Sequence, residues 1–102
     1  MDVRFGSEIG LYLGYSGNSS YPGALSAQGT AEAPITFTSN AATPAPGNWM
    51  GIYFHNYSDD ALSVLDHCVV EYGGLLHGSN IYLYSASPTI MTGILTGSYL
   101  FL

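Results

Sequence analysis

An all-β chain wound as a parallel solenoid is the fold class this sequence predicts, and three observations predict it. An apolar–x–apolar triplet recurs between Gly, Ser, Asn and Pro turns: Leu11-Tyr12-Leu13, Ile35-Thr36-Phe37, Ile52-Tyr53-Phe54 and Ile81-Tyr82-Leu83. Two of these rungs are near copies, Gly51-Ile52-Tyr53-Phe54-His55 and Asn80-Ile81-Tyr82-Leu83-Tyr84. Self-similarity of this kind marks a repeat architecture in which each repeat covers the apolar face of the one before it. Finally, no stretch sustains a helical period, and Gly and Pro punctuate too often for a helix of ordinary length.

The elements follow in order. Val3-Arg4-Phe5-Gly6 reads as a short strand entering a turn. From Ile9 to Gly14 the chain alternates, with Ile9, Leu11 and Leu13 on one face. Tyr15 to Gly23 is a polar loop rich in Ser and Gly, followed by a short strand, Ala24-Leu25-Ser26-Ala27, closed by Gln28-Gly29-Thr30. Pro34 sets up the strand Ile35 to Thr38, and a Pro/Ala/Thr/Gly loop runs from Asn40 to Gly47. Trp49 precedes the rung Gly51 to His55, and Asp59-Asp60 marks a turn. Leu62, Val64 and Leu65 open the next apolar stretch, in which Cys68, Val70 and Tyr72 are expected to point inward, away from Val69 and Glu71. Gly73-Gly74 ends that strand; Asn80 to Tyr84 repeats the earlier rung; Ser87-Pro88-Thr89-Ile90 starts another, and Gly97 leads into Tyr99-Leu100-Phe101-Leu102.

Spacing separates the β architectures. The rungs at Ile52 and Ile81 lie about 29 residues apart, and Leu11 and Ile35 about 24. Both distances suit one full coil of a three-sided parallel solenoid. An antiparallel meander would place turn signals every 8–12 residues or so. The favoured two-residue hairpin pairs, Asn-Gly and Asp-Gly, are absent. An antiparallel β-sandwich or jelly roll is the alternative.

Composition bounds the function. The 102 residues fit a single domain, 1–102. Hydrophobic residues make up 47% and charged residues 8%, which is too apolar for disorder, so Ser, Thr, Asn, Gly and Tyr must form the surface. Seven carboxylates stand against one strong cation, Arg4, for a net charge of -6. A nucleic-acid binder needs a basic track, and adhesion to anionic lipid needs the same, so both classes are disfavoured. Cys68 is the sole cysteine, which excludes an internal disulfide and a cysteine-built zinc site. Met1-Asp2-Val3-Arg4-Phe5 has neither the basic region nor the apolar run of a secretory signal, and no apolar run approaches the ~20 residues of a membrane helix. The expected setting is either intracellular or a larger protein whose export signal lies elsewhere.

Several segments resemble the right-handed parallel β-helix repeat proteins of bacteria and archaea. The resemblance is carried by Ala24 to Ser39 (Ala-Leu-Ser-Ala-Gln-Gly-Thr-Ala-Glu-Ala-Pro-Ile-Thr-Phe-Thr-Ser), by Pro46-Gly47-Asn48-Trp49-Met50-Gly51-Ile52-Tyr53-Phe54, and by Leu65 to Gly74 with Ser87-Pro88-Thr89-Ile90. It implies a right-handed β-helix with short strands and irregular corner loops. It also implies a secreted or surface setting and a role as a stalk or carbohydrate-contacting surface. Where such helices run for many coils, this chain reads as a slice of about four, without the polar caps that solenoids need. The expected consequence is self-association through Val3 and Phe5 at one end and Tyr99, Leu100, Phe101 and Leu102 at the other, because unpaired strand edges invite another chain.

Candidate chemistry is sparse. Lyases of the resembled fold use a basic proton acceptor with calcium-binding carboxylates, and one arginine with no lysine argues against that. Asp59, Asp60 and Asp66 are the only close aspartates. Turn formation is the better reading of Asp59-Asp60, with a weak calcium site as the alternative. His67 beside Cys68 has the composition of a thiol and its base, but neighbours on a strand face opposite ways, so Cys68 reads as a buried apolar residue. His55 and His77 have no third ligand at metal-site spacing. No cofactor and no enzyme activity are expected. The aromatics are more informative. Tyr12, Tyr53 and Tyr82 occupy the middle of three rungs and should face outward as a ladder, with Trp49 nearby. Such a wall suits an oligomer interface, cross-coil packing or stacking on sugar rings. The expected function is therefore a non-catalytic, self-associating structural module, with carbohydrate binding by Tyr12, Tyr53, Tyr82 and Trp49 as the alternative and a fragment of a polysaccharide-active enzyme as the third and weakest reading.

Overall fold

The computed structural model describes residues 1–14, 22–76 and 78–91, together with the backbone of the strands Gly93–Leu95 and Tyr99–Phe101. The expectations for the Tyr15 to Gly23 loop up to residue 21, for His77 and Gly97, for Leu102 and for the side chains of Tyr99, Leu100 and Phe101 lie outside the described residues.

The described regular structure is all strand, two to five residues at a time, as the dense Gly and Pro punctuation requires. The strands are β1 (Asp2–Phe5), β2 (Gly10–Leu13), β3 (Ser26–Gln28), β4 (Ile35–Ser39), β5 (Gly51–Phe54), β6 (Val64–Asp66), β7 (Cys68–Val70), β8 (Ile81–Leu83), β9 (Thr89–Ile90), β10 (Gly93–Leu95) and β11 (Tyr99–Phe101). They form three sheets, with orders β1-β4-β7-β10, β2-β5-β8-β11 and β3-β6-β9. Each strand therefore pairs with the one three places on, and the chain visits the three sheets in rotation. Every described pairing is parallel. That overturns the antiparallel sandwich and is compatible with a β-helix.

Register brings like over like. Leu11 stands beside Ile52 and Ile52 beside Ile81; Leu13, Phe54 and Leu83 form the next column. Phe37 pairs with Val70, and Ala27 with Leu65. These inward residues make one apolar interior: Ile52, Phe54, Val70 and Ile81 are wholly buried, and Phe37, Leu65, Cys68 and Leu83 nearly so. Each fully buried side chain of this size contributes about 1.5–3 kcal/mol, so the central strands hold most of the stability.

The structure corrects three expectations. Leu11 and Ile35 are not equivalent: Leu11 lies beside Ile52, whereas Ile35 lies beside Cys68 in a different sheet. The loops between sheets differ in length, so one coil takes about 41 residues from Leu11 to Ile52 and about 29 from Ile52 to Ile81. Next, the apolar stretch around Val64 to Tyr72 is two strands in two sheets, β6 and β7. His67, with φ of 51°, turns the backbone between them. Cys68 and Val70 still face inward and Tyr72 packs on the core. Lastly, Ile9 is exposed and precedes β2 instead of sharing the inner face of Leu11 and Leu13.

One glycine is dictated by close approach. Gly51 has φ of +106° at the start of β5, and a Cβ there would stand 2.7 Å from the carbonyl oxygen of Asn80. That same oxygen accepts the Ile52 N–H at 2.9 Å, while the Asn80 side-chain oxygen accepts the Gly73 N–H at 2.8 Å. The corner is thus held by a buried amide, and two adjacent coils share it.

Candidate functional site

Three features of the surface bear on function. The first is the ring column on the outer face of the second sheet. Tyr12, Tyr53 and Tyr82 are in register, with ring centroids 5.0 Å apart for the first pair and 4.9 Å for the second. Alternation along β2, β5 and β8 places them outward. Facing outward does not expose them equally: Tyr12 is 42% exposed, but Tyr53 and Tyr82 only 4% and 6%. His55 stands 5.9 Å from both Tyr82 and Tyr84 and 6.1 Å from Tyr53, extending the cluster to a second column. Burial, followed by the neighbouring Tyr12 and Tyr82 hydroxyls, pushes the Tyr53 phenol up to about 12. The cluster is a packed aromatic layer whose accessible rings are Tyr12 and Tyr84.

Trp49 does not belong to that surface. It is wholly buried, stacked on Phe5 with ring centroids 4.1 Å apart and planes 1° from parallel, and its indole N–H donates to the Glu71 carbonyl at 2.8 Å. Trp49 plugs the interior beside the first sheet and is unavailable to a ligand.

The second feature is a cleft of about 340 Å³ over the outer face of the first sheet. Asp2 and Arg4 of β1 and Thr36 and Thr38 of β4 form its floor with Glu71, and Tyr72 and Pro44 flank it. Arg4 stands beside Thr38, whose hydroxyl donates to the Glu71 carboxylate at 2.8 Å. Asp2 reaches Arg4 only at 3.8 Å, with both side chains mostly in water, so this pair contributes little. The cleft gathers a cation, two carboxylates and hydroxyls that are scattered in sequence. Sequence reading missed it because no residue spacing reveals which strands become neighbours.

The third feature is the open edge. Among the described residues, β1, β2 and β3 each have one neighbour. Val3, Phe5, Leu11 and Leu25 pack against the interior at this end but are only half-buried, in contrast to the buried residues beside them. Val3 and Phe5 belong to β1, which among the described residues pairs with β4 alone. At the opposite side of the stack, β11 pairs with β8 through Tyr99↔Ile81, Leu100↔Tyr82 and Phe101↔Leu83.

The remaining candidates have local duties. Asp59 accepts the Leu62 N–H at 3.2 Å within its own turn, whereas Asp60 accepts the Ser87 N–H at 2.9 Å and so ties that turn to the segment leading into β9. Asp66 approaches His67 Nδ1 at 3.0 Å. Cys68 Sγ contacts the Ala27 and Asp66 carbonyls at 3.4 Å each, and burial pushes its thiol up, away from the thiolate a nucleophile needs. Among the described residues no three His, Cys, Asp or Glu side chains converge.

No protein-family model matches the chain, and neither a curated protein nor a solved structure does. The functional reading therefore rests on the geometry alone.

Proposed function

We propose that the chain is a section of a three-sided right-handed parallel β-helix, acting as a non-catalytic structural module that self-associates through its open sheet edges. The right hand follows from the strong preference of parallel crossovers. The observation that carries the reading is the half-buried inner residues Val3, Phe5, Leu11 and Leu25 beside three strands that each have one neighbour among the described residues. An apolar interior that stops at an unpaired backbone edge recruits another chain. The test is the mass of the purified 102-residue chain in solution at micromolar concentration. A multiple of 10.8 kDa is expected; a monomer throughout the concentration range contradicts the proposal.

Carbohydrate binding is the second reading. What favours it is that two rings of the second sheet's aromatic cluster, Tyr12 and Tyr84, are accessible and that a separate hydroxyl- and carboxylate-lined cleft opens over the first sheet. The burial of Trp49, Tyr53 and Tyr82 removes the flat stacking wall that would have made it the stronger one. A glycan-array screen decides: retention that falls on Tyr12→Ser and Tyr84→Ser replacement supports this reading, and no retention on any glycan rejects it.

A further inference from the structure

We infer that the open edge takes a second copy head to head, with β1 pairing antiparallel to its symmetry mate about a two-fold axis at Val3. This rests on the self-association reading above and names its partner strand, direction and register.

Two independent features of β1 give that register. The first is the backbone. Thr36 N–H donates to the Met1 carbonyl and Asn40 N–H to the Phe5 carbonyl, so the odd-numbered residues of this strand aim their polar groups at β4. In an extended strand the N–H and C=O of one residue point to the same side, and those of the next residue to the other. The groups left at the open edge are therefore those of Asp2 and Arg4. In an antiparallel pair, facing residues that exchange both hydrogen bonds must each present their groups to the other. Centring the axis on Val3 sets Asp2 opposite Arg4 of the second copy. All of the edge-facing groups of both residues are then satisfied.

Charge is the second feature. Asp2 and Arg4 flank Val3 on the outer face, each more than half exposed. The Val3-centred register places each carboxylate across from the other copy's guanidinium. A register centred on Asp2 or on Arg4 would oppose like charges, which is destabilising. Parallel pairing of two copies of this strand would also set like beside like. An axis between Val3 and Arg4 would face Asp2 with Phe5, whose backbone groups are already committed to β4. A single-sign edge would block pairing; alternating signs on one face complement themselves. Arg4 is the only strong cation in the chain, and it sits where this arrangement requires it. The strands at the opposite end, Thr89–Ile90, Gly93–Leu95 and Tyr99–Phe101, carry no charge to set a register.

An isologous contact closes on itself and yields a dimer, whereas head-to-tail stacking yields an open polymer. Sedimentation equilibrium of the full chain and of Asp2→Arg, Arg4→Asp and the double exchange tests this. The expected result is a wild-type dimer, about tenfold weaker in each single variant and recovered in the double one. Mild oxidation of Val3→Cys should also give a disulfide-linked dimer, because residues facing each other across the axis lie within bridging distance. Association that ignores the charge exchanges, or species larger than a dimer, would overturn the head-to-head arrangement while leaving self-association standing. A monomeric wild type would overturn both. The exposure of Asp2 and Arg4 keeps their replacement from disturbing the fold, and circular dichroism of each variant confirms it.

Discussion

Trp49 and Tyr53 show how far a side chain's face and its accessibility can diverge. Trp49 lies outside any alternating run, so no period assigns it a side, and a lone Trp suits a core as well as a ligand surface. The structure makes it core: Phe5 stacks on it and the Glu71 carbonyl accepts its N–H. Trp49→Ala should cost about 3–5 kcal/mol, read as a fall in the urea midpoint at unchanged slope. Trp49→Phe should cost less, leaving the Glu71 carbonyl without its donor. Tyr53 was legible in direction, since alternation puts it outward, but not in burial. Its neighbours in the column cover it, because adjacent rings lie only about 5 Å apart. Burial favours the neutral phenol, so the folded state holds that proton more tightly than the unfolded chain. The contribution is whole below pH 10 and is lost as pH rises from about 10 to about 12. Alkaline denaturation should accordingly steepen across that window, by on the order of 2 kcal/mol, and Tyr53→Phe should flatten it. A midpoint indifferent to Tyr53→Phe would argue against the buried position.

At the level of strands, the recurring triplet was the legible part and the corner was not. Ile52 and Ile81 were matched correctly because Gly51 to His55 and Asn80 to Tyr84 share the Ile-Tyr pair itself and a ring residue after the triplet, not the apolar–x–apolar pattern alone. Leu11 and Ile35 share only the triplet, and every sheet of a parallel stack uses the same apolar–x–apolar pattern. The pattern alone cannot say which sheet a strand joins. Similarly, the run from Leu65 to Val70 hides a corner at His67, since a single residue of positive φ leaves no compositional mark. Gly51 is the corner that chemistry fixes most firmly. Gly51→Ala brings both the left-handed penalty and a clash with the Asn80 carbonyl. Destabilisation of about 2 kcal/mol or more is expected by chemical denaturation. Gly78→Ala, where nothing lies within 4 Å, should cost only the backbone strain of its own positive φ. Equal costs at the two positions would mean that the Asn80 contact is not made.

For the molecule as a whole, the parallel stack explains the scarcity of charge. Outer faces built from Thr, Ser, Asn and Tyr columns avoid setting like charges beside one another, which an in-register repeat of Lys or Glu would force. The charged residues that remain concentrate where the columns stop or turn: Asp2 and Arg4 on the edge strand, Glu71 just beyond β7, Asp59 and Asp60 in a turn. The cleft over the first sheet emerges only at this level, because it assembles residues from strands about 33 or more positions apart; the open edge does too, because the pairing order decides which strands keep a single neighbour.

Nuclear Overhauser contacts across β5 and β8 probe this arrangement most directly. The structure requires the cross-strand contacts of a parallel pair, with Ile52, Tyr53 and Phe54 beside Ile81, Tyr82 and Leu83 in that order and the Tyr53 and Tyr82 rings in contact. Close Hα–Hα contacts running in reverse order, as an antiparallel pair gives, or no contact between the two segments, would contradict it.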